Sequence, residues 1–282
     1  MRSIRNLVAA GAATVLALGL AACGSADSDS SASGSAGSAS GDTITLKVGA
    51  TPAPHAKILQ YIQDNLAADA GLNLDIVEYT DYILPNSALN DGEIDANFYQ
   101  TVPYLETAEA ENGYDFTAGE GIHLEPLAIY SSKIKSLDEL PAGAKIGIID
   151  DVTNQSRALT LLSQQGLVEL PTDGSDANVN NVKILGDFTF QEVQGAQLVR
   201  SLQDVDIAVI NGNYAQEGGL SQANDALVVE SPKNNPAVNV LVWKADTDKA
   251  EAITKLEELL HSDEVKSYIE QTWADGSVIP AF

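Results

Sequence analysis

The segment Asp150-Asp151-Val152-Thr153-Asn154-Gln155-Ser156-Arg157-Ala158-Leu159 holds residue types and spacings suited to chemistry. It joins an apolar run, Lys145–Ile149, to a helical pattern from about Thr153 to Gln165. Backbone N–H groups at a helix start attract anions. Thr153 or Asn154 can cap that start, and Arg157, in the first turn, can grip a carboxylate in two parallel hydrogen bonds. Basic residues are scarce, 15 Lys and Arg against 40 Asp and Glu, so an arginine placed here is informative. The plainer reading is a solvated arginine paired with Asp150 or Asp151.

Two further clusters qualify. Asp81-Tyr82, Asn97-Phe98-Tyr99-Gln100-Thr101 and Pro103-Tyr104 concentrate aromatics in a chain with only 6% of them. Rings beside amides suit an amphipathic amino acid, although such clusters also build cores. The run Asp206-Ile207-Ala208-Val209-Ile210-Asn211-Gly212-Asn213-Tyr214 is an apolar strand ending in Asn-Gly-Asn. Asn211 then sits at the carboxyl edge of a sheet, where its amide can donate to a carboxylate and accept from an ammonium group. Asn-Gly is equally a turn dipeptide.

Catalytic signatures are missing. His55, His123 and His261 show no HExxH spacing, and the chain has no GxxxxGK[ST] loop, GxGxxG or GxSxG elbow. Forty acids make neighbouring carboxylates uninformative. No metal site and no cofactor is expected.

The elements that must position these residues alternate between β-rich and helical patterns, which points to an α/β architecture with mainly parallel sheets. Thr43–Ala50, Leu74–Tyr79, Asp95–Tyr99, Pro126–Ser131, Lys145–Ile149, Val182–Leu185, Ile207–Ile210 and Val238–Trp243 read as strands. Ile58, Ile62 and Leu66 give a helix one apolar face. Further helices are expected near Glu192–Leu202 and, twice, between Thr247 and Trp273. The charge-free strands Ala128–Tyr130 and Val238–Val242 suit chain crossings between two lobes, residues 43–128 plus 238–282 and residues 129–237. A single doubly wound sheet fits the pattern as well. Two lobes would place a ligand in the cleft where loops at strand ends face each other.

The chain opens with Arg2 and Arg5, an apolar run from Leu7 to Leu20, and Leu20-Ala21-Ala22-Cys23. The run is too short for a comfortable membrane span, and the order is that of a secretion signal, residues 1–22. The last four residues resemble the lipobox of bacterial lipoproteins, which makes Cys23, the only cysteine, the lipidated residue of a membrane anchor. Residues 23–42 continue as a Ser, Ala, Gly and Asp tether. Removing residues 1–22 makes the formal charge of −25 two units more negative. Such a surface repels nucleic acid and anionic headgroups.

Together these segments resemble the NlpA-type methionine-binding lipoproteins, from about residue 45 to the end. The carrying motifs are Asp81-Tyr82-Ile83-Leu84-Pro85-Asn86, Asp95-Ala96-Asn97 with Gln100 and Pro103-Tyr104-Leu105, and Glu125-Pro126-Leu127-Ala128-Ile129-Tyr130-Ser131. Thr153-Asn154 with Arg157-Ala158-Leu159, Asp204-Val205-Asp206 through Asn211 and Tyr214, and Val238-Asn239 complete the set. The resemblance implies a type II-like two-lobed periplasmic-binding-protein fold and no enzyme activity. It also implies an extracytoplasmic, lipid-anchored location and service to the permease and ATPase of an ABC importer. It implies that Arg157 holds the ligand carboxylate with Asn154 beside it, that Asn211 and Asn239 bind the polar end, and that Tyr82 and Tyr99 line a thioether pocket. One departure stands out: Thr101 follows Gln100 where the family usually has histidine, which leaves room for another side chain or a short peptide. Methionine has about nine heavy atoms, so at no more than roughly 1.5 kcal/mol each, nanomolar capture needs nearly every atom contacted. Closing lobes would supply that enclosure. The competing readings are a receptor for another amino acid or a Met-containing dipeptide, a surface enzyme on envelope or extracellular substrates, and an adhesin.

Overall fold

Two β-sheets organise residues 43–282, the part of the chain that the computed structural model describes. The signal segment 1–22, Cys23 and the tether 23–42 lie outside the described residues. The first sheet contains β1 (Ile44–Ala50), β2 (Leu72–Glu78), β3 (Ala96–Thr101), β4 (Phe116–Leu124), β12 (Val238–Lys244) and β13 (Ile279–Pro280), in the order β13-β4-β12-β3-β1-β2. The second contains β5 (Ala128–Tyr130), β6 (Ala144–Ile149), β9 (Phe188–Val193), β10 (Ile207–Ile210) and β11 (Ala226–Val229), in the order β11-β5-β10-β6-β9. A small hairpin pairs β7 (Val168–Glu169) with β8 (Lys183–Ile184). The fold is a two-lobed α/β fold, and the chain passes between the sheets at residues 125–127 and again at 230–237.

Helices pack on these sheets by the spacing of their apolar residues. In α1 (His55–Asn65), Ile58, Leu59 and Ile62 are sealed against Leu46 and Val48 of β1. Ile253 and Leu256 of α8 (Ala250–Leu260) and Val265 and Ile269 of α9 (Asp263–Thr272) join the same core. Each such side chain contributes about 1.5–3 kcal/mol by burial. The second sheet is covered by α4 (Val152–Gln164), which buries Ala158, Leu159, Leu161 and Leu162, and by the short α5 (Leu198–Ser201). Connections carry α2 (Leu84–Asn90), α3 (Val102–Asn112), α6 (Gly212–Glu217) and α7 (Gln222–Asp225).

Three expectations are corrected. The sheets are mixed rather than mainly parallel: β1 is parallel to β2 and β3, and β6 to β9 and β10, but β4, β5, β11, β12 and β13 pair antiparallel. Strands β5 and β12 arrive from the other sheet and start where the resident strands finish, so they must run against their neighbours. The helix expected near Glu192–Leu202 starts later, with a tight turn at Gly195–Gln197 that leads into α5, because residues 188–193 form strand β9, which turns Phe188 inward beside exposed Thr189 and pairs with β6. Strand β4 was not expected at all. Its glycines hide the alternation, and they are there for contact: a Cβ on Gly121 would stand 2.7 Å from Cγ1 of Val238 in β12.

Candidate functional site

The carboxyl ends of β1, β2, β3, β4, β6 and β10 all point to the region between the sheets, so the segments that follow them meet there. The result is a cavity of about 30 Å³. Tyr82, Tyr99, Thr101, Asn154, Arg157, Asn211 and Asn239 all line it, together with His55, Gln100, Tyr104, Glu125, Gly212 and Asn213.

Asp151 rather than Thr153 or Asn154 caps α4: its side chain accepts from the Asn154 N–H at 2.9 Å and from Asn154 Nδ2 at 3.1 Å. The start of the helix is thus satisfied by an anion of the chain itself. Asp151 in turn fixes the Asn154 amide, whose Oδ1 accepts from Asn211 Nδ2 at 2.8 Å. Burial raises the Asp151 carboxyl above its usual range, against the two Asn154 bonds that lower it.

Arg157 does not pair with Asp150 or Asp151. Its Nε and Nη2 form a fork on Glu230 at 3.0 and 2.6 Å, and Nη2 also donates to the Glu125 carbonyl at 2.8 Å. Arginine presents five donors in a rigid plane. Here Nη1 makes no hydrogen bond among the described residues, and Arg157 lines the cavity. The arginine thereby ties α4 to both chain crossings.

The aromatic wall hangs on Tyr82, in the loop after β2. Its carbonyl accepts from the hydroxyls of Tyr99 and Tyr104, each at 3.0 Å. Its ring stacks on Tyr214 of the second sheet's side at 4.8 Å between centroids, and its hydroxyl donates to Asn213. A buried amide cluster holds that loop. Asn86 and Gln100 exchange hydrogen bonds at 3.0 and 2.8 Å, and Asn97 donates to Asn86 Oδ1 at 2.9 Å. Asn86, Asn97 and Gln100 therefore position the tyrosines. Burial pushes the hydroxyls of Tyr82 and Tyr99 well above the usual phenol range, so both stay neutral donors.

The cavity floor was not legible from motifs. His55 follows β1, His123 lies in β4, and Glu125 follows β4. Glu125 Oε1 is 3.0 Å from His123 Nε2 and 3.4 Å from His55 Nε2. His55 also meets Asn239 Oδ1 at 3.0 Å and Thr51 Oγ1 at 2.6 Å. Burial lowers His55 to about 4 and His123 to about 3, so both rings are neutral and offer N–H donors. Burial raises Glu125 to about 7, against the neighbouring His55 ring, the Arg157 charge and the Asn213 N–H, which lower it. These three side chains bring ligating atoms within 4.8 Å of one another. His123 Nε2, however, is bonded to the carboxylate, His55 Nε2 is bonded to Asn239, and His123 Nδ1 has no acceptor to orient a ligating ring. The geometry is that of a carboxylate receiving the His123 N–H, with the His55 ring beside it and bonded to Asn239.

Fold and site together define the class: a two-lobed α/β protein of the solute-binding type, with a polar and aromatic cavity between its lobes. The chain belongs to the NlpA lipoprotein family, whose model matches residues 46–282. It is similar to a lipoprotein of solved structure from Actinomyces odontolyticus, at 70% identity and TM-score 0.84, over 86% of this chain and 100% of that one. A nutrient binding protein from Burkholderia cenocepacia, solved bound to methionine, is 36% identical with TM-score 0.80, over 84% of this chain and 100% of its own. The methionine-binding lipoprotein MetQ of Bacillus subtilis is 36% identical over 239 residues, 83% of this chain and 86% of that protein.

Proposed function

We propose that this protein is the extracytoplasmic substrate-binding lipoprotein of an ABC importer and captures L-methionine or a close analogue between its lobes. The lobes of this reading are residues 43–128 plus 238–282 and residues 129–237. Cys23 carries the lipid that anchors the chain to the membrane, and the permease and ATPase of the importer are the partners.

The observation that carries the reading is convergence. Tyr82, Tyr99, Thr101, Asn154, Arg157, Asn211 and Asn239 span 158 positions of sequence and line one cavity, in a chain 36% identical to a neighbour solved with methionine. Polar capacity matches an amino acid. Arg157 Nη1 is a donor for the carboxylate, and the amides of Asn211 and Asn239 flank the polar end, each with one atom free of hydrogen bonds among the described residues. The tyrosines offer ring faces and edges to a thioether. A cavity of about 30 Å³ holds about two waters. An amino acid enters only if the walls part, and closure around it follows.

Thermal unfolding of the soluble domain begun after Cys23, stripped of bound solute, tests this against each amino acid and several Met-dipeptides at about 1 mM. Ligand at a thousand times Kd adds roughly 4 kcal/mol of stability. A large upward shift with L-methionine is expected; no shift with any amino acid would sink the reading.

One observation favours a longer ligand as the second reading. Thr101, Asn154 and Arg157 line both the cavity and an adjoining groove of about 510 Å³. Thr101 stands in this shared lining and is smaller than the histidine that the resemblance implies there. Thr101→His should keep L-methionine affinity within about threefold, since it changes the rim and not the charged anchors. It should also remove any Met-dipeptide binding, as competition titrations would report. Equal dipeptide affinity in both proteins would refute this use of the groove.

A further inference from the structure

The cavity is lined by one cation and one carboxylate, and only the cation is already matched. Arg157 is matched by Glu230, at 2.6 Å. Glu125, only 6% exposed, receives hydrogen bonds from His123 and the Asn213 N–H, both neutral donors, with the neutral His55 Nε2 a further 3.4 Å contact. A buried carboxylate without a formal cation bound to it is costly, and a positive group delivered into the cavity would relieve that cost.

We propose that Glu125 is the counter-charge for the ligand's α-ammonium group, with His55 and His123 as positioning residues that aim its carboxylate into the cavity. This rests on the functional reading above and deepens it: the charged floor selects the amino-acid zwitterion, while the tyrosines face its side chain. Arg157 Nη2 donates to the backbone carbonyl of Glu125 itself, both residues line the cavity, and the guanidinium charge reaches the Glu125 carboxylate. Gly212 lets the chain approach, since a Cβ there would stand 2.9 Å from Glu125 Cβ and 3.0 Å from its Oε2. Asn239 shares His55 Nε2 with Glu125, which links the two groups expected at the ligand's polar end.

A pH dependence follows. The groups facing Glu125 are His55 on α1, His123 on β4, Arg157 on α4, Asn213 and Glu217 on α6, and the Tyr82 hydroxyl. Both histidines stay neutral over the working range. An ammonium ligand prefers the ionised carboxylate, so binding releases a proton wherever free Glu125 carries one. Affinity is therefore full above about 7 and falls as pH drops below it. Glu217, also raised to about 7 by burial, is the rival source of such a profile, and a Glu125 variant separates the two.

The experiment is calorimetric titration of the soluble domain with L-methionine and with its des-amino analogue 4-(methylthio)butanoate, from pH 5.5 to 8.5. Buffers of different ionisation enthalpy give the proton count. In the wild type, L-methionine affinity should rise about tenfold per pH unit up to 7 and then level, with close to one proton released at low pH. The analogue should show no such rise. Glu125→Gln should bind L-methionine about 10- to 100-fold more weakly at pH 8, with a flat profile and no proton release. His123→Leu removes one N–H donor to the ionised carboxylate and should move the midpoint to higher pH. Should either variant fail to fold, the wild-type proton count and the analogue profile decide alone. L-Methionine binding with a flat profile and no proton release overturns this inference only. No L-methionine binding at any pH overturns the functional reading and this inference with it.

Discussion

Arg157→Ala should weaken L-methionine binding by about 100-fold and also destabilise the folded domain by about 2–3 kcal/mol. The binding loss follows from a charge-assisted hydrogen bond to the ligand carboxylate, worth about 1.5–3 kcal/mol, with 1.4 kcal/mol per factor of ten. The stability loss has a different origin. Glu230 keeps only the Leu127 N–H, at 3.0 Å, once the arginine fork is gone. Breaking a fully buried pair costs about 3–5 kcal/mol, and the side chains here are 16% and 12% exposed, so a lower figure applies. The two effects separate in the double variant Arg157→Ala with Glu230→Gln, which should recover most of the stability and none of the binding. Urea unfolding and calorimetric titration read them independently. Binding of Arg157→Ala within threefold of wild type would refute the assigned carboxylate grip. Lysine at 157 keeps the charge but not the planar fork, and should fall between the two.

The contrast between Arg157 and Glu125 shows where sequence reading runs out. Arg157 was legible because a single strand-to-helix turn presents it, and local pattern locates such turns. The same holds for Asn211 at the end of β10 and for the tyrosines near 82, 99 and 104. Glu125 and His55 stand 70 positions apart, and only the pairing of β1, β3, β12 and β4 brings them together. Strand β4 escaped notice because glycine replaces apolar side chains where Val238 packs on it. The cap of α4 was ambiguous for a local reason: Asp151, Thr153 and Asn154 can all cap, and the extended backbone at Asp151 decides. Glu230, the arginine's partner, lies 73 positions on, in a segment without a strong pattern. Chemistry carried by one turn was readable, whereas chemistry assembled across sheets was not.

Tyr82→Ala should lower ligand affinity about 100-fold, with most of the change in the dissociation rate. Tyr82 belongs to the β2–α2 loop of the first sheet's side, yet its ring packs with Tyr214 and the apolar cluster under the second sheet. Removing a large aromatic costs about 3–5 kcal/mol in a full core, and a stacked pair adds about 0.5–1.5 kcal/mol. Tyr82 is only partly buried, so about 3 kcal/mol is a fair figure for its contribution. That contribution exists only while the two sides meet, so its loss falls on the closed arrangement more than on folding. The backbone survives the change, because Tyr99 and Tyr104 bind the Tyr82 carbonyl and not its ring. Tyr82→Phe loses only the hydroxyl bond to Asn213 and should cost about fivefold. Stopped-flow association and dissociation rates distinguish a latch from a plain contact. Faster dissociation with association nearly unchanged is the expected result, since a latch acts after the ligand has entered. An alanine variant that slows association alone would place Tyr82 on the entry path instead.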